Sequence, residues 1–416
     1  MAIVSFRVGH IVPVVMVAFT LGAFACSGST QFSGDNTSVG GDGGGSPSGL
    51  CEQCVIDTDC NGSTCAQFSG DIFCAMPCPN GNECGVGTTC TSESSVAGDP
   101  VRICVPNNEA CGTAPPPHKP PGATDSGAPP PPFDAGGPVQ ATINSNGGTE
   151  SKLYFAIIGD TRPPVIDDTK AYPTAVITKI FTDINALNPM PPFAVATGDY
   201  QFSSSFGAEA PKQFALYAQA RSKYTGVEFP AMGNHECTGA TTSNCASTVT
   251  NNYTAFINTM LAPIQKTKPY YSVNVAAIDA SWTAKLVFVA ANAWDSTQAN
   301  WLDTTLAQST TYTFVIRHES NTATTAPGVT PSKQIMATHP LTLLIVGHQH
   351  TYSRPAQNEV LFGNGGAPLV NASAFGFGLI TQRPDKAIQV DAIDMNTGSP
   401  DLAFRFAVKA DGSPAP

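Results

Sequence analysis

Charged residues, and basic residues above all, are scarce in this sequence. Only 12% of its 416 residues are charged, and 20 lysines and arginines stand against 31 aspartates and glutamates, which gives a net charge of −11. Proteins that bind a nucleic-acid backbone through charge need clustered lysine and arginine. We therefore expect no nucleic-acid-binding patch on this protein.

Long apolar runs are missing after the N-terminus. No stretch beyond residue 25 is long enough to span a bilayer. Arg7 precedes an apolar run from Val8 to Ala25 that ends Ala-Phe-Ala-Cys, a pattern that predicts a secretory signal peptide over residues 1–25. An uncleaved membrane anchor is the alternative, which Pro13 within the run disfavours.

Cys26 follows the predicted cleavage point directly. A cysteine there, ahead of a Ser- and Gly-rich stretch, resembles a bacterial lipoprotein signal, although Ala23 stands where such signals usually have leucine. We expect an exported protein, either anchored at the cell envelope through a lipid on Cys26 or secreted. That lipid would be its one link to a membrane.

Residues 51–111 lack apolar periodicity but hold ten of the 13 cysteines. A segment with so few core residues needs covalent cross-links, which predicts a small disulfide-rich module with five disulfides. A zinc site at Cys51 and Cys54 is the weaker alternative, because no second Cys-x-x-Cys follows. The polar residues 26–50 predict a flexible tether, and the Pro-rich residues 112–147 predict a semi-rigid linker.

Residues 148–416 alternate short apolar runs with amphipathic stretches, which favours one layered α/β domain. The C-terminal part, residues 387–408, is typical of a hairpin. The predicted strands are Leu153–Ile158, Phe193–Ala196, Phe229–Met232, Tyr270–Val275, Leu286–Ala290, Tyr312–Ile316 and Leu341–Val346. The predicted helices are Ala175–Leu187, Lys212–Lys223, Asn252–Leu261 and Gln298–Ala307.

Five of these strands end in polar groups that can bind metal. Ligand sites of α/β sheets lie beyond the carboxyl ends of the strands, so the five groups are expected to share one edge. Four of the seven histidines fall in these groups, which chance alone would rarely produce. The groups are Gly159-Asp160-Thr161-Arg162, Gly198-Asp199-Tyr200, Gly233-Asn234-His235-Glu236, Arg317-His318-Glu319 and Gly347-His348-Gln349-His350.

This order of motifs resembles the calcineurin-like metallophosphoesterase superfamily, which includes the purple acid phosphatases. The resemblance covers about residues 153–370. It implies a layered β-sheet sandwich flanked by helices, with two metal ions (manganese, iron or zinc) at one edge. Asp199 would bridge both ions, Asp160 and His350 would hold the first, and Asn234, His318 and His348 would hold the second.

The activity that the resemblance implies is hydrolysis of a phosphate mono- or diester by a metal-activated hydroxide. Its substrate would be a phosphoester small molecule or another phosphorylated compound. His235 directly follows a metal ligand and would stabilise or protonate the leaving oxygen. The alternative is a surface binding protein built on a degenerate phosphoesterase domain.

Arg162 departs from the family pattern, which usually has Gly-Asp-x-His at the first motif. Purple acid phosphatases also lack that histidine but add a tyrosine three residues after the bridging aspartate, where this chain has Phe202. Three hypotheses follow for the first metal: water fills the gap, Tyr200 turns in, or the site holds a single ion. The planar guanidinium of Arg162 suits phosphate oxygens, so we expect it to contact substrate unless it pairs with a nearby carboxylate.

Cys237 and Cys245 flank a polar loop directly after Gly-Asn-His-Glu. Cysteines of exported proteins meet an oxidising environment. The spacing therefore predicts a disulfide that closes this loop over the site, with two free buried thiols as the alternative.

Overall fold

The computed structural model describes residues 64–68, 71–78, 81, 84, 88–95, 100–107, 139–370 and 374–416. The predicted signal peptide, the lipidation site at Cys26, the tether and most of the proline-rich linker lie outside these residues. Within them, none of the helices combines the length and the hydropathy that a bilayer crossing requires.

The cysteine-rich segment folds as an antiparallel sheet of four strands in the order β2-β1-β3-β4. Disulfides Cys78–Cys90 and Cys84–Cys104 cross-link it. Only a few small apolar side chains form its described core, so the covalent links supply what burial cannot. The prediction of a disulfide-rich module is confirmed. The strands are β1 (Thr64–Phe68), β2 (Asp71–Ala75), β3 (Thr88–Ser95) and β4 (Pro100–Pro106).

The remaining strands form two sheets. In chain order they are β5 (Ala141–Asn144), β6 (Gly147–Glu150), β7 (Tyr154–Ile158), β8 (Phe193–Ala196), β9 (Val227–Pro230), β10 (Tyr271–Ala277), β11 (Thr283–Val289), β12 (Tyr312–Arg317), β13 (Leu343–Val346), β14 (Tyr352–Ala356), β15 (Glu359–Phe362), β16 (Gly376–Gln382), β17 (Ile388–Asp394), β18 (Ser399–Pro400) and β19 (Phe406–Val408). One sheet has the order β14-β15-β13-β12-β11-β10-β6-β5. The other has the order β18-β17-β16-β7-β8-β9, with β19 also paired to β17.

The described helices cover the outer faces of the sheets. They are α1 (Thr174–Ala186), α2 (Ala210–Arg221), α3 (Asn251–Phe256), α4 (Ser296–Leu306) and α5 (Val329–Met336), and a π-helical segment, Ile257–Leu261, continues α3. α1 and α2 contact each other, as do α4 and α5.

The alternation of side chains along β11 shows how the layers are built. Leu286 and Phe288 belong to a large core that both sheets share, whereas Val287 and Val289 pack with Leu302 of α4 on the opposite face. Both faces of the strand are covered, which accounts for its continuous apolar sequence. The predicted fold class, a layered α/β sandwich flanked by helices, is confirmed.

The domain begins earlier than the sequence predicted. β5 and β6 form a hairpin, and β6 pairs in parallel with β10, so that Gly147 lies opposite Asn274. The proline-rich linker predicted for residues 112–147 therefore gives way to a sheet at Ala141. The Asn146-Gly147 pair is a hairpin signal, but β5 is mostly exposed and has no apolar alternation to reveal it.

Lys285 is a buried cation in the middle of β11. Its ammonium donates to the carbonyl oxygens of Thr305, Leu306 and Gln308 at the C-terminal end of α4. Thr305 and Leu306 end α4 and Gln308 follows it, so these carbonyls lie at the negative end of the helix dipole, and Thr305 O also accepts the backbone N–H of Gln308.

Replacing Lys285 with methionine should lower the free energy of unfolding by about 2–4 kcal/mol, because three carbonyls lose a charged donor. Urea unfolding of the full chain measures this. Lys179→Met is the matched control, since Lys179 is exposed and pairs only with Asp183 one helical turn away, an arrangement of little net value. Equal loss in both variants would contradict the assigned role of Lys285.

Candidate metal centre

The polar groups that the sequence placed at strand ends meet at one edge of the two sheets. β7, β8 and β9 are parallel neighbours in one sheet, and β12 and β13 are parallel neighbours in the other. Their carboxyl ends therefore point the same way within each sheet. Contacts between the two sheets bring the edges together, since His318 Nε2 lies 3.3 Å from Asp199 Oδ2.

Four ligand atoms converge at this edge. Asn234 Oδ1 lies 3.1 Å from both His318 Nε2 and His348 Nδ1, and the two ring nitrogens are 3.1 Å apart. Ligand atoms of Asp199, His318 and His348 all lie within 4.8 Å of one another. Asp199, Asn234 and His318 are buried and His348 is half-buried.

Neighbouring backbone groups fix which atoms face the centre. Thr197 O lies 2.9 Å from His318 Nδ1, which must donate because a carbonyl oxygen can only accept, so the lone pair of a neutral ring lies on Nε2. The amide nitrogen of Asn234 donates to Gly239 O, which turns its oxygen inward. If His348 carries a proton on Nδ1, that proton can form a hydrogen bond to Asn234 Oδ1 or to His318 Nε2 but not to both. A cation would satisfy all four ligand atoms at once, and carboxylate, amide and imidazole together suit manganese, iron or zinc.

The charges of the centre are strongly coupled. Burial alone would raise the pKa of Asp199, but the neighbouring His318, His235 and Arg162 hold it well below its ordinary value. Burial would lower the pKa of His318, but the Asp199 carboxylate outweighs burial and raises it well above the ordinary value. A metal ion that binds His318 Nε2 would therefore compete with a proton for that nitrogen.

Asp160 and His350 form a neighbouring pair. His350 Nε2 lies 3.9 Å from Asp160 Oδ1, and His350 Nδ1 donates to Pro368 O at 2.7 Å. Asp160 Oδ2 accepts the backbone N–H of His348. Asp160 Oδ1 is buried and accepts no hydrogen bond from the described residues, and burial is the main reason that its pKa is raised.

The strand ends turn through left-handed backbone at three of these residues. Asp160, Asp199 and His348 have φ of 56°, 57° and 75°. Such a conformation costs a residue with a Cβ about 1–2 kcal/mol, and it persists only where the surroundings enforce it. All three residues belong to the strand-end groups, so the left-handed backbone positions candidate metal ligands.

Two glycines let backbone segments approach each other beneath the centre. Gly198 has φ +112°, and a Cβ there would lie 2.6 Å from Gly233 N and 2.9 Å from His318 Nδ1. A Cβ on Gly347 would lie 2.4 Å from Thr197 Oγ1 and 2.6 Å from Asp160 Oδ2. Both positions exclude any other residue without movement of the ligands.

His235 and Arg162 both lie near the Asp199 carboxylate. His235 Nε2 and Arg162 Nε are each 3.8 Å from Asp199 Oδ2. The Phe202 ring contacts both, edge-on to His235 with centroids 4.5 Å apart and stacked on the guanidinium at 4.7 Å. All eight predicted site residues thus lie at one edge. Arg162 contacts a carboxylate, which was the stated alternative to its predicted contact with substrate.

Tyr200 does not face the centre. Its hydroxyl donates to Ala231 O at 3.0 Å, and its ring stacks on Phe256 inside the shared core. The hypothesis that Tyr200 turns in as a metal ligand has no support in this geometry. The predicted disulfide between Cys237 and Cys245 is confirmed, with Cα atoms 5.8 Å apart.

Glu236 is a residue whose function the sequence prediction missed. Its buried carboxylate accepts the backbone N–H groups of Asp199 and Gly233, each at 2.8 Å, and of Tyr200 at 2.9 Å. Burial and then the Asp199 charge raise the pKa of Glu236 to about 8, against the effect of these donors. The sequence signal that could have indicated this role was the position of Glu236 in the Gly-Asn-His-Glu motif. Glu236 ties the end of β8 to the end of β9 and so positions Asp199.

No family model and no curated protein matches the sequence. Its fold is similar to those of a number of solved structures, among them the following three. A purple acid phosphatase from yellow lupin (Lupinus luteus) seeds is 14% identical, with a TM-score of 0.46 over 67% of this chain and 55% of that one. A dimetal phosphatase from Danio rerio is 11% identical, with a TM-score of 0.43 over 62% of this chain and 99% of that one. GAP50, the anchor in the inner membrane complex of Plasmodium, is 13% identical, with a TM-score of 0.46 over 62% of this chain and 89% of that one.

Proposed function

We propose that this protein hydrolyses phosphate mono- or diesters with the help of a bound divalent metal ion. The observation that carries the proposal is the convergence of Asp199 Oδ2, Asn234 Oδ1, His318 Nε2 and His348 Nδ1. Four potential ligand atoms in contact suit a cation between them, and the motif order that places them is typical of metallophosphoesterases. The bound ion would polarise a phosphoryl oxygen and lower the pKa of a water molecule.

The chain's own residues supply orientation and charge. Asp199 and Asn234 supply oxygen ligands, while His318, held by Thr197 O, supplies a nitrogen in a fixed tautomer. His235 Nε2 lies 3.8 Å from Asp199 Oδ2, beside the ligand group, and in this proposal it stabilises or protonates the leaving oxygen. Arg162 adds a buried positive charge that favours an anionic phosphoryl group.

The proposed location is outside the cytoplasm, at the cell envelope or secreted. The predicted signal peptide supports it, and so do the disulfides of both the cysteine-rich module and the loop after His235, since such bonds persist in oxidising compartments. The substrate would be a phosphoester that reaches this compartment.

The test is hydrolysis of aryl phosphate mono- and diesters by the full chain. We expect chelator treatment to reduce turnover to background and added Mn²⁺ to restore it. His348→Ala should weaken Mn²⁺ binding, because it removes one of the converging ligands. His339→Ala is the control, since His339 pairs with Asp303 Oδ1 away from the centre. Turnover that survives full removal of metal would contradict the proposal. A protein that binds metal but turns over no phosphoester would instead favour the surface binding protein.

A further inference from the structure

We infer that the guanidinium of Arg162 takes the place of one of the two metal ions that the motif resemblance implies, so that the centre holds a single ion. The inference concerns the ion count, and its meaning for catalysis rests on the proposed function.

The two ligand groups differ in how well they are formed. Asp199, His318 and His348 bring their ligand atoms within 4.8 Å of one another, and Asn234 adds its oxygen. Asp160 and His350 approach each other at 3.9 Å. Among the described residues, however, this pair does not join Asp199 in a comparably tight group. The structure thus offers one compact set of ligands and one incomplete pair.

Arg162 lies beside the carboxylate that would have to complete the pair. Asp199 Oδ1 accepts the backbone N–H of His235, which leaves Oδ2 to face the centre. Arg162 Nε is 3.8 Å from that same oxygen, and His318 Nε2 is 3.3 Å from it. Guanidinium remains protonated in proteins and has no lone pair for a metal. It therefore brings positive charge to this side of Asp199 without adding a ligand.

The environment holds Arg162 in this place. Its side chain is 1% exposed, its guanidinium is stacked on Phe202, and it donates to Pro163 O at 3.3 Å. Phe202 is in turn packed against His235. A divalent ion beside Asp160 and Asp199 would lie next to this fixed cation, and the two would repel strongly in a buried site.

An arginine charge in place of a second metal ion suits the proposed reaction. One divalent ion and one guanidinium still neutralise the carboxylates of Asp160 and Asp199 and leave the centre positive. A planar fork of N–H donors also binds phosphoryl oxygens with a directionality that a bare ion lacks. The centre would therefore pair one ion with one arginine around the substrate.

The experiment counts ions in the full chain by elemental analysis after Mn²⁺ loading and desalting, with the Mn²⁺ electron paramagnetic resonance spectrum as a second readout. We expect one ion per chain and the spectrum of an isolated Mn²⁺. Arg162→His, which removes the fixed charge and adds an imidazole ligand, should bind two ions and give the broadened spectrum of a coupled pair. Arg162→Lys keeps the charge without a ligand and should still bind one.

Two coupled ions in the unaltered chain would overturn the inference, and a single ion in Arg162→His would overturn the role given to Arg162. If Arg162→His does not fold, the ion count and spectrum of the unaltered chain still decide the main point. The experiment separates failure of this inference from failure of the proposed function. One bound ion without phosphoester turnover would contradict the proposed function but not the single-ion site. Two bound ions with turnover would contradict the single-ion site but not the proposed function.

Discussion

Replacing His235 with alanine should lower kcat for an alkyl phosphate by about 10²- to 10⁴-fold, the range over which a positioned general acid acts, and should leave the bound metal unchanged. Alkyl leaving groups depend on protonation, because an alkoxide is a poor leaving group. The loss should be much smaller for a nitrophenyl phosphate, whose phenolate departs without a proton.

The geometry supports both halves of this expectation. His235 Nε2 lies 3.8 Å from Asp199 Oδ2, outside the four converging ligand atoms, so its removal takes away no ligand. The backbone N–H of His235 donates to Asp199 Oδ1 at 3.1 Å and so helps to orient that carboxylate. An alanine at this position keeps the same hydrogen bond. The side chain instead packs against Phe202 on the side where Arg162 lies.

The two measurements are kcat for both substrate types and the metal content of each variant. His339→Ala is the matched control, because it also removes a histidine but one bound to Asp303. An equal loss for alkyl and nitrophenyl substrates would show that His235 does not act as a proton donor. Loss of metal in His235→Ala would show that it is a ligand.

The second large effect is expected at Glu236. Glu236→Ala should lower the free energy of unfolding by about 3–5 kcal/mol, since three buried backbone N–H groups lose their acceptor at once and each unsatisfied group costs about 1–3 kcal/mol before relaxation. Metal affinity should fall as well, because two of those groups belong to Asp199 and Gly233, at the ends of β8 and β9.

Urea unfolding and Mn²⁺ titration of the full chain measure the two effects. Glu236→Gln tests the mechanism: the amide keeps one acceptor oxygen but aims a donor at another N–H, so its stability should lie between those of the original and the alanine variant. Glu209→Ala is the control, because Glu209 is a surface carboxylate that pairs with Lys212. Unchanged stability in Glu236→Ala would show that Glu236 does not hold the ends of β8 and β9 in place.

The sequence predicted best those elements whose burial is uniform. β8 was predicted residue for residue at Phe193–Ala196, and β12 was predicted to within one residue. Each lies between covered faces, so an unbroken apolar run marks it. The convergence of the strand-end groups could be predicted for a related reason, since parallel strands present their carboxyl ends at one edge.

Elements without an apolar pattern were missed. α5 buries Ser332, whose hydroxyl accepts from Arg317 and donates to Gly328 O, so a polar residue occupies a core-facing position and breaks the periodicity. β16 begins Gly-Phe-Gly, which is unusual for a strand interior. The strand β5 is mostly exposed and lay inside a segment whose composition predicted a linker.

Within the centre, the sequence could not predict which atoms meet. The approach of Arg162 to Asp199, and the turning of Tyr200 into the core, depend on left-handed backbone at Asp160 and Asp199, which few residues other than glycine adopt. Glu236 was missed for a similar reason, since its partners are backbone groups that become its neighbours only when β8 and β9 are paired.

The glycines beneath the centre limit how this protein can be altered. A side chain at Gly198 or Gly347 would meet backbone atoms, candidate ligand atoms or the Thr197 hydroxyl at 2.4–2.9 Å, so variation there should be rejected. Other loops carry exposed apolar side chains, among them Val165, Ile166 and Phe206. Libraries that seek new substrates should therefore diversify these loops and keep both glycines fixed.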